Sequence, residues 1–99
     1  MNGAIDDVVG FQWDNGNVDK NLIAHAVENW ECEQVFFNEP LLVLNGPRHS
    51  AMKKRWATFG STNGGRPLVV IFTRRANMIR IISARNMNRK EKIFYEETR

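Results

Sequence analysis

The sequence predicts a single α+β domain built as an antiparallel sheet with helices packed on it. Three observations lead there. Ninety-nine residues at 42% hydrophobic and 25% charged suit one compact domain and exclude a two-domain chain. The apolar stretches of the second half are short and follow one another through tight-turn residues, which is how antiparallel strands are joined. Between the first apolar stretch and that series lie two segments with apolar residues at helical spacing.

Taken in order, residues 8–13 (VVGFQW) form a β candidate closed by the turn cluster Asp14-Asn15-Gly16-Asn17. From Val18, the apolar residues Leu22, Ile23 and Ala26 fit a short helix with Asn17 as its cap. A second helix fits residues 29–37 through Cys32, Val35 and Phe36, and Asn38 and Pro40 stop it. Residues 40–44 are a brief strand, turned by Asn45-Gly46-Pro47. Residues 55–59 are the next strand, and residues 61–65 (STNGG) have hairpin composition. Residues 68–73 (LVVIFT) are apolar without alternation, as in a central strand buried on both faces. After a turn at residues 74–77, residues 78–84 (MIRIISA) make a further strand. Residues 88–97 make a polar terminal helix with Ile93 and Phe94 turned inward. The expected order is β-α-α-β-β-β-β-α.

Charge is distributed unevenly. Residues 1–40 carry one base, Lys20, against eight acids, whereas residues 41–99 carry thirteen bases against three acids. All nine arginines lie in the second part. The planar guanidinium fork suits bidentate phosphate contact, so this half points to a nucleic-acid or other polyanion surface, with a solvated basic face as the alternative. No apolar run approaches the roughly 18 residues of a membrane span, and residues 1–10 lack the pattern of a secretory signal, so the expected location is cytoplasmic, with no membrane partner. The single cysteine, Cys32, has no internal disulfide partner and is expected to be buried as a small hydrophobe. With His25 and His49 as the two histidines, no zinc-type spacing is present, and neither a metal nor a cofactor is expected.

Several short motifs occur in a fixed order. They are Phe11-x-Trp13-Asp14, Asn21-x-x-x-His25, Val35-Phe36-Phe37-Asn38-x-Pro40, His49-Ser50 and Arg55 leading into Gly60. Residues 68–73 followed by Arg75 come next, then residues 79–85 (IRIISAR), Arg89-Lys90-Glu91 and Tyr95-Glu96. In that order and spacing the chain resembles BrnT-family toxins, the ribonuclease half of BrnT/BrnA type II toxin–antitoxin pairs. The resemblance runs along nearly the whole chain, so residues 1–99 are expected to be one BrnT-like domain. It implies a fold like that of RelE-type ribonucleases, an RNA substrate, neutralisation by a BrnA-like antitoxin, and contact with DNA only through the antitoxin complex. The chain departs from the family at Ala24, where lysine is common, at Ala26, where glycine is common, and at Asn29 and Trp30. A left-handed cap at Ala26 would be strained, so the turn there is expected to differ locally.

Cleaving RNA without a metal needs a base for the 2′-hydroxyl proton, cations for the pentavalent phosphorane and an acid for the leaving oxygen. The catalytic candidates are His25, Arg55, Arg80, Arg85 and Glu91. Histidine titrates near neutrality, the arginines supply a clamp, and Glu91 is a possible base. RNA-binding candidates are His49, Lys53, Lys54, Arg75 and Tyr95. Each has a plainer alternative: His25 against the last carbonyls of its helix, His49 idle in a polar loop, Arg85 and Glu91 as a structural ion pair, and Tyr95 packed on the sheet. Arg80 interrupts an apolar strand, where a charge must be paired or face a ligand. Arg80 and Arg85 point to opposite faces of a regular strand, so they share a site only if the chain turns at Ala84. Trp13, Trp30 and Trp56 are expected in the core or at a partner interface. The other readings are a non-catalytic nucleic-acid-binding regulator and an antitoxin-binding module of the same fold.

Overall fold

The computed structural model describes residues 5–46 and 54–98, so the candidates His49 and Lys53 lie outside the described residues. The elements follow the expected order: β1 (Gly10–Phe11), α1 (Lys20–His25), α2 (Asn29–Val35), β2 (Leu42–Asn45), β3 (Trp56–Ser61), β4 (Pro67–Arg75), β5 (Met78–Asn86) and α3 (Arg89–Glu96). The strands form one sheet in the order β1-β5-β4-β3-β2. The sheet is mixed and not purely antiparallel, because β1 pairs parallel to β5 through Gly10↔Met78 and Phe11↔Ile79. The two intervening helices carry the chain away from β1, so no hairpin forces that strand to run against its neighbour.

The apolar run of residues 68–73 lies in the central strand β4, as its lack of alternation predicts. Leu68, Val70 and Phe72 face α1 and α2 and join Val27, Cys32, Val35, Ile79, Ile81 and Ala84 in the main core. Val69 and Ile71 face the other way, toward Tyr95 and Met87 of a smaller cluster under α3. Gly60 of β3 is where α2 comes closest. A Cβ there would meet the Val35 side chain at 2.6 Å, so glycine is what permits that approach. Cys32 is buried, and burial assisted by Glu31 pushes its thiol up to about 12.

α1 departs most from expectation. Its apolar residues Leu22 and Ile23 are exposed, as is Val18 before it, and the buried residue of the helix is Asn21. Asn17 caps nothing. The residue before the helix is Asp19, in the left-handed conformation and without a side-chain cap bond. Asn17 and Asn21 instead serve the outer edge of β5, which β1 accompanies for two residues only. Asn17 Nδ2 donates to the Ile81 carbonyl at 3.1 Å and to the Gln12 carbonyl at 2.9 Å, while Asn21 Oδ1 accepts from the Ala84 amide at 2.9 Å. Two amide side chains four residues apart thus stand in for a missing strand and satisfy backbone groups that burial would otherwise orphan.

α3 also presents a different face from the one expected. Ile93 and Phe94 are about half exposed, and Tyr95 is the buried residue, with its hydroxyl donating to the Pro40 carbonyl at 2.6 Å. This is the packing role that its place four residues after Glu91 suggests. Phe94 still meets Phe59 edge-on at 5.7 Å.

Two stability outcomes follow. Asn21→Ala leaves the Ala84 amide buried without its acceptor and is expected to cost about 1–3 kcal/mol in chemical denaturation. Ala26, which ends α1, adopts φ 55° and ψ 37° despite its side chain, so the left-handed cap is kept where a local change was expected. Ala26→Gly is expected to stabilise by about 1 kcal/mol, read as a melting temperature higher by roughly 4–8 °C.

Candidate nucleic-acid interface

Helices α1 and α2 cover one face of the sheet, and α3 covers part of the other. The rest of that second face is open, and which residues it displays is set by an irregularity in β5. Ile71 pairs with Ser83 but Phe72 pairs with Ile81, so β5 carries Ile82 as an extra residue. Arg80 lies opposite Thr73, and Arg85 opposite Val69. Thr73 and Val69 are four residues apart on a regular strand and share a face, so their partners share it too. The bulge, and not a turn at Ala84, therefore places both arginines on the open face. Arg75, two residues beyond Thr73, joins them there.

Arg80 has a fixed acidic partner. Its guanidinium donates to both Asp14 oxygens, at 2.7 and 3.0 Å, and to Gln12 Oε1 at 3.4 Å. The Arg80 side chain is 12% exposed and that of Asp14 51%. Gly16 makes room, since a Cβ there would lie 2.7 Å from Arg80 Nη2. The Arg80 hydrogen bond, with that of the Gly16 amide, holds the Asp14 carboxyl below its usual range, and Arg75 adds to this through its charge.

Arg85 forms the second fork-to-fork pair, with Glu91 at 2.7 and 2.9 Å. Glu91 also closes a capping box at the start of α3, accepting from the Asn88 amide at 2.8 Å while Asn88 accepts from the Glu91 amide at 2.9 Å. Arg85 lowers the Glu91 pKa mainly by hydrogen bonding, and Glu91 raises that of Arg85 by the same bonds.

Arg66, which is not among the residues singled out from the sequence, extends this network. It pairs with Glu31 at 3.0 Å and donates to Asn86 Oδ1 at 2.7 Å, the Ala26 carbonyl at 2.9 Å and the His25 carbonyl at 3.5 Å. Arg85 Nη1 reaches the Asn86 carbonyl at 3.1 Å. A continuous chain of polar contacts thus runs from the end of α1, with His25 exposed, through Arg66, Asn86 and Arg85 to Glu91. The one sequence signal for Arg66 is its place after Gly64-Gly65, which puts a cation at the mouth of a hairpin.

The five catalytic candidates are not brought into one cluster. Arg85 and Glu91 pair at the Asn86 end of β5, where Arg66 reaches the His25 carbonyl, whereas Arg80, opposite Thr73, and Arg55, beside Trp56 whose partner is Phe72, lie toward the Arg75 end of β4. There Arg55 lines a pocket of about 240 Å³ with Lys54, Trp56, Thr73, Arg74, Arg75 and Ile82. Two of the RNA-binding candidates, Lys54 and Arg75, belong to this pocket, and Tyr95 is buried under α3. Trp13 donates to Glu33 at 2.6 Å, Trp56 stacks on Phe72, and Trp30 is exposed. Among the described residues no three His, Cys, Asp or Glu side chains gather as a metal-binding group, and no helix is long and apolar enough to cross a membrane.

The two ion pairs have testable consequences. Both carboxyls ionise more readily in the folded chain than in the unfolded one, where carboxyls titrate near pH 4. Their contribution is therefore complete above about pH 4 and lost as pH falls through the lower folded values. Melting followed from neutral pH to about pH 2.5 should show this loss, and Glu91→Gln should start lower and lose less. An unchanged acid profile in Glu91→Gln would show that the Arg85 pair contributes nothing. Arg80→Ala unties the loop of residues 14–17 from β5 and is expected to lower the melting temperature by roughly 5–10 °C. A value within a degree or two of wild type would show that the Asp14 pair is dispensable to the fold.

A comparison with curated proteins finds no match. A family model described as the ribonuclease toxin BrnT of type II toxin–antitoxin systems matches residues 13–91, a span holding Asp14, Asn21, His25, Arg66, Arg80, Arg85 and Glu91. The chain belongs to the BrnT family of ribonuclease toxins, and with that to proteins that act on RNA and are paired with an antitoxin.

Proposed function

We propose that the protein is an endoribonuclease that cleaves RNA without a metal ion, inhibits translation and is neutralised by a BrnA-like antitoxin, working in the cytoplasm on a RelE-like scaffold. The observation that carries this reading is the open sheet face with arginines at three levels, Arg75, Arg80 and Arg85, in a chain of this family. RNA is drawn to that face by its phosphates, and cleavage takes place at the Asn86 end. Arg85 and Arg66 are cations that can stabilise the phosphorane, and Glu91 holds Arg85 in a fixed orientation. His25, exposed at the end of α1, exchanges the proton with the 2′-hydroxyl or the leaving 5′-oxygen. Arg80 positions this surface through its tie to Asp14. The exposed residues Leu22 and Ile23 of α1, with Val18 before it, offer the antitoxin an apolar contact, and DNA is met only through that complex.

The decisive experiment is cleavage of RNA by purified protein in excess EDTA, with fragment ends identified. Fragments ending in 2′,3′-cyclic phosphate are expected, and full loss of cleavage under chelation would overturn the mechanism. His25→Ala and Arg85→Ala are each expected to lower kcat by about 100-fold or more. RNA binding without cleavage under any condition would favour the second reading, a nucleic-acid-binding regulator on the same fold, which the basic face supports by itself.

A further inference from the structure

Arginines of the described chain differ in whether their guanidinium is already engaged. Arg66, Arg80 and Arg85 are held by Glu31, Asp14 and Glu91. Arg74 spends its donors on the carbonyls of Asp6, at 2.9 Å, and of Ala76, at 2.8 and 3.1 Å. The guanidinium groups of Arg55 and Arg75 make no hydrogen bond or ion pair among the described residues, and both side chains line the pocket at the Arg75 end of β4. Arginine forks left free in a concavity are the groups able to take a new anion without giving up an old one.

The pocket also shows which part of a nucleotide it suits. At about 240 Å³ it is smaller than the roughly 300–1,000 Å³ of sites that enclose a drug-sized ligand. Its aromatic wall is taken on both sides. Trp56 stacks on Phe72 with ring centres 5.5 Å apart and 20° between planes, and the Lys54 ammonium lies 5.3 Å from the Trp56 ring centre. A base could stack there only by displacing that ammonium, whereas a phosphate is drawn to it. Thr73 Oγ1 donates to the Lys54 carbonyl at 2.8 Å, which fixes the backbone at the rim.

Resting on the ribonuclease reading, we propose that this pocket is a phosphate subsite, formed by Lys54, Arg55 and Arg75, that holds the RNA backbone at a distance from the cleavage end without reading its sequence. Arg55 is then a binding residue, separated from the catalytic cluster. From Arg75 to Val69, the partner of Arg85, is six residues of strand, or about 20 Å. A strand stacked at about 3.4 Å per nucleotide needs about six nucleotides to reach from one to the other, and an extended strand needs fewer. A short oligonucleotide can thus occupy the cleavage end without touching the pocket.

The test compares wild type with Arg55→Ala/Arg75→Ala on RNA oligonucleotides of about three and about ten nucleotides. Since neither guanidinium is bonded to a described residue, the melting temperature should move by less than about 2 °C. For the longer RNA, KM should rise about tenfold with kcat unchanged, and for the shorter one neither should change. Fluorescence anisotropy with a ten-nucleotide DNA of the same sequence, which lacks the 2′-hydroxyl needed for cleavage, gives a binding readout independent of activity. There the slope of log affinity against log salt should fall by about 2, because each arginine neutralises one phosphate, and Arg55→Lys/Arg75→Lys should restore it. Oligonucleotides of uridine and of adenosine should lose affinity equally. A fall in kcat at constant KM would make Arg55 catalytic and overturn the proposal, as would an unchanged salt slope or a loss confined to one base. If wild type cleaves nothing but binds, and the double variant loses that binding, the subsite stands and the ribonuclease reading fails.

Discussion

The outer edge of β5 is the constraint on which the rest of the structure depends. β1 accompanies it for two residues and then leaves, so a strand at the heart of the molecule would face its core with unpaired amide and carbonyl groups. Unpaired buried groups cost as much as a lost hydrogen bond, and two asparagines supply what the strand does not. Because Asn21 bonds the Ala84 amide from within α1, it fixes that short helix against β5, and four residues later the helix ends with His25 exposed. Because Asn17 holds the Ile81 and Gln12 carbonyls, the loop before the helix lies flat on the same edge, and Asp14 is carried to Arg80. Asn21 Nδ2 has no hydrogen-bond partner among the described residues, so this side chain holds the edge through its oxygen.

At the far end of β5 the same helix is fastened a second time. A left-handed alanine at its terminus is an unfavourable way to stop a helix, and Arg66 offsets it by binding the Ala26 carbonyl while pairing with Glu31. Glu31 and Glu91 play matching parts. Each sits in the first turn of its helix, accepts a backbone amide there, and binds an arginine, Arg66 just before β4 for Glu31 and Arg85 of β5 for Glu91. Asn86 joins the two arginines through its side chain and its carbonyl. Helices on opposite faces of the sheet are in this way tied to one end of one strand, with Arg66 on the backbone at the end of α1 and Arg85 on Glu91 of α3.

The order of elements was legible because it depends on local chemistry, namely turn clusters, β-branched runs and the stop at Asn38 and Pro40. Most of what failed came from reading burial as apolarity. Val18, Leu22 and Ile23 have helical spacing and face outward, because the groups that α1 must meet on β5 are polar and only an amide answers them. Ile93 and Phe94 gave way to Tyr95, whose hydroxyl finds the Pro40 carbonyl while its ring fills the smaller core. The parallel pairing of β1 was out of reach because strand direction is decided by where the two helices return the chain. The pairing of Arg85 with Glu91 was legible as one of two readings, since six residues separate them across a strand end and a capping box. The partner of Arg80 was not, because Asp14 lies 66 residues away in sequence.

A bulge of one residue decides what kind of surface the sheet presents. Were β5 regular through Ile82, alternation would put Arg80 and Arg85 on opposite faces, and one of them would be driven into the core among Val70, Ile81 and Ala84. A charge there would need a partner that the apolar interior does not offer. The extra residue keeps Ile79, Ile81 and Ala84 pointing toward the helices and turns both arginines to the open face. It does so on the strand whose edge Asn21 already holds at Ala84, so the irregular segment is pinned from the side as well as through β4. Electrostatics and packing are thus satisfied by one device: the core stays apolar on one face, and the cations needed to attract a polyanion line the other, at intervals set by the rise of a strand.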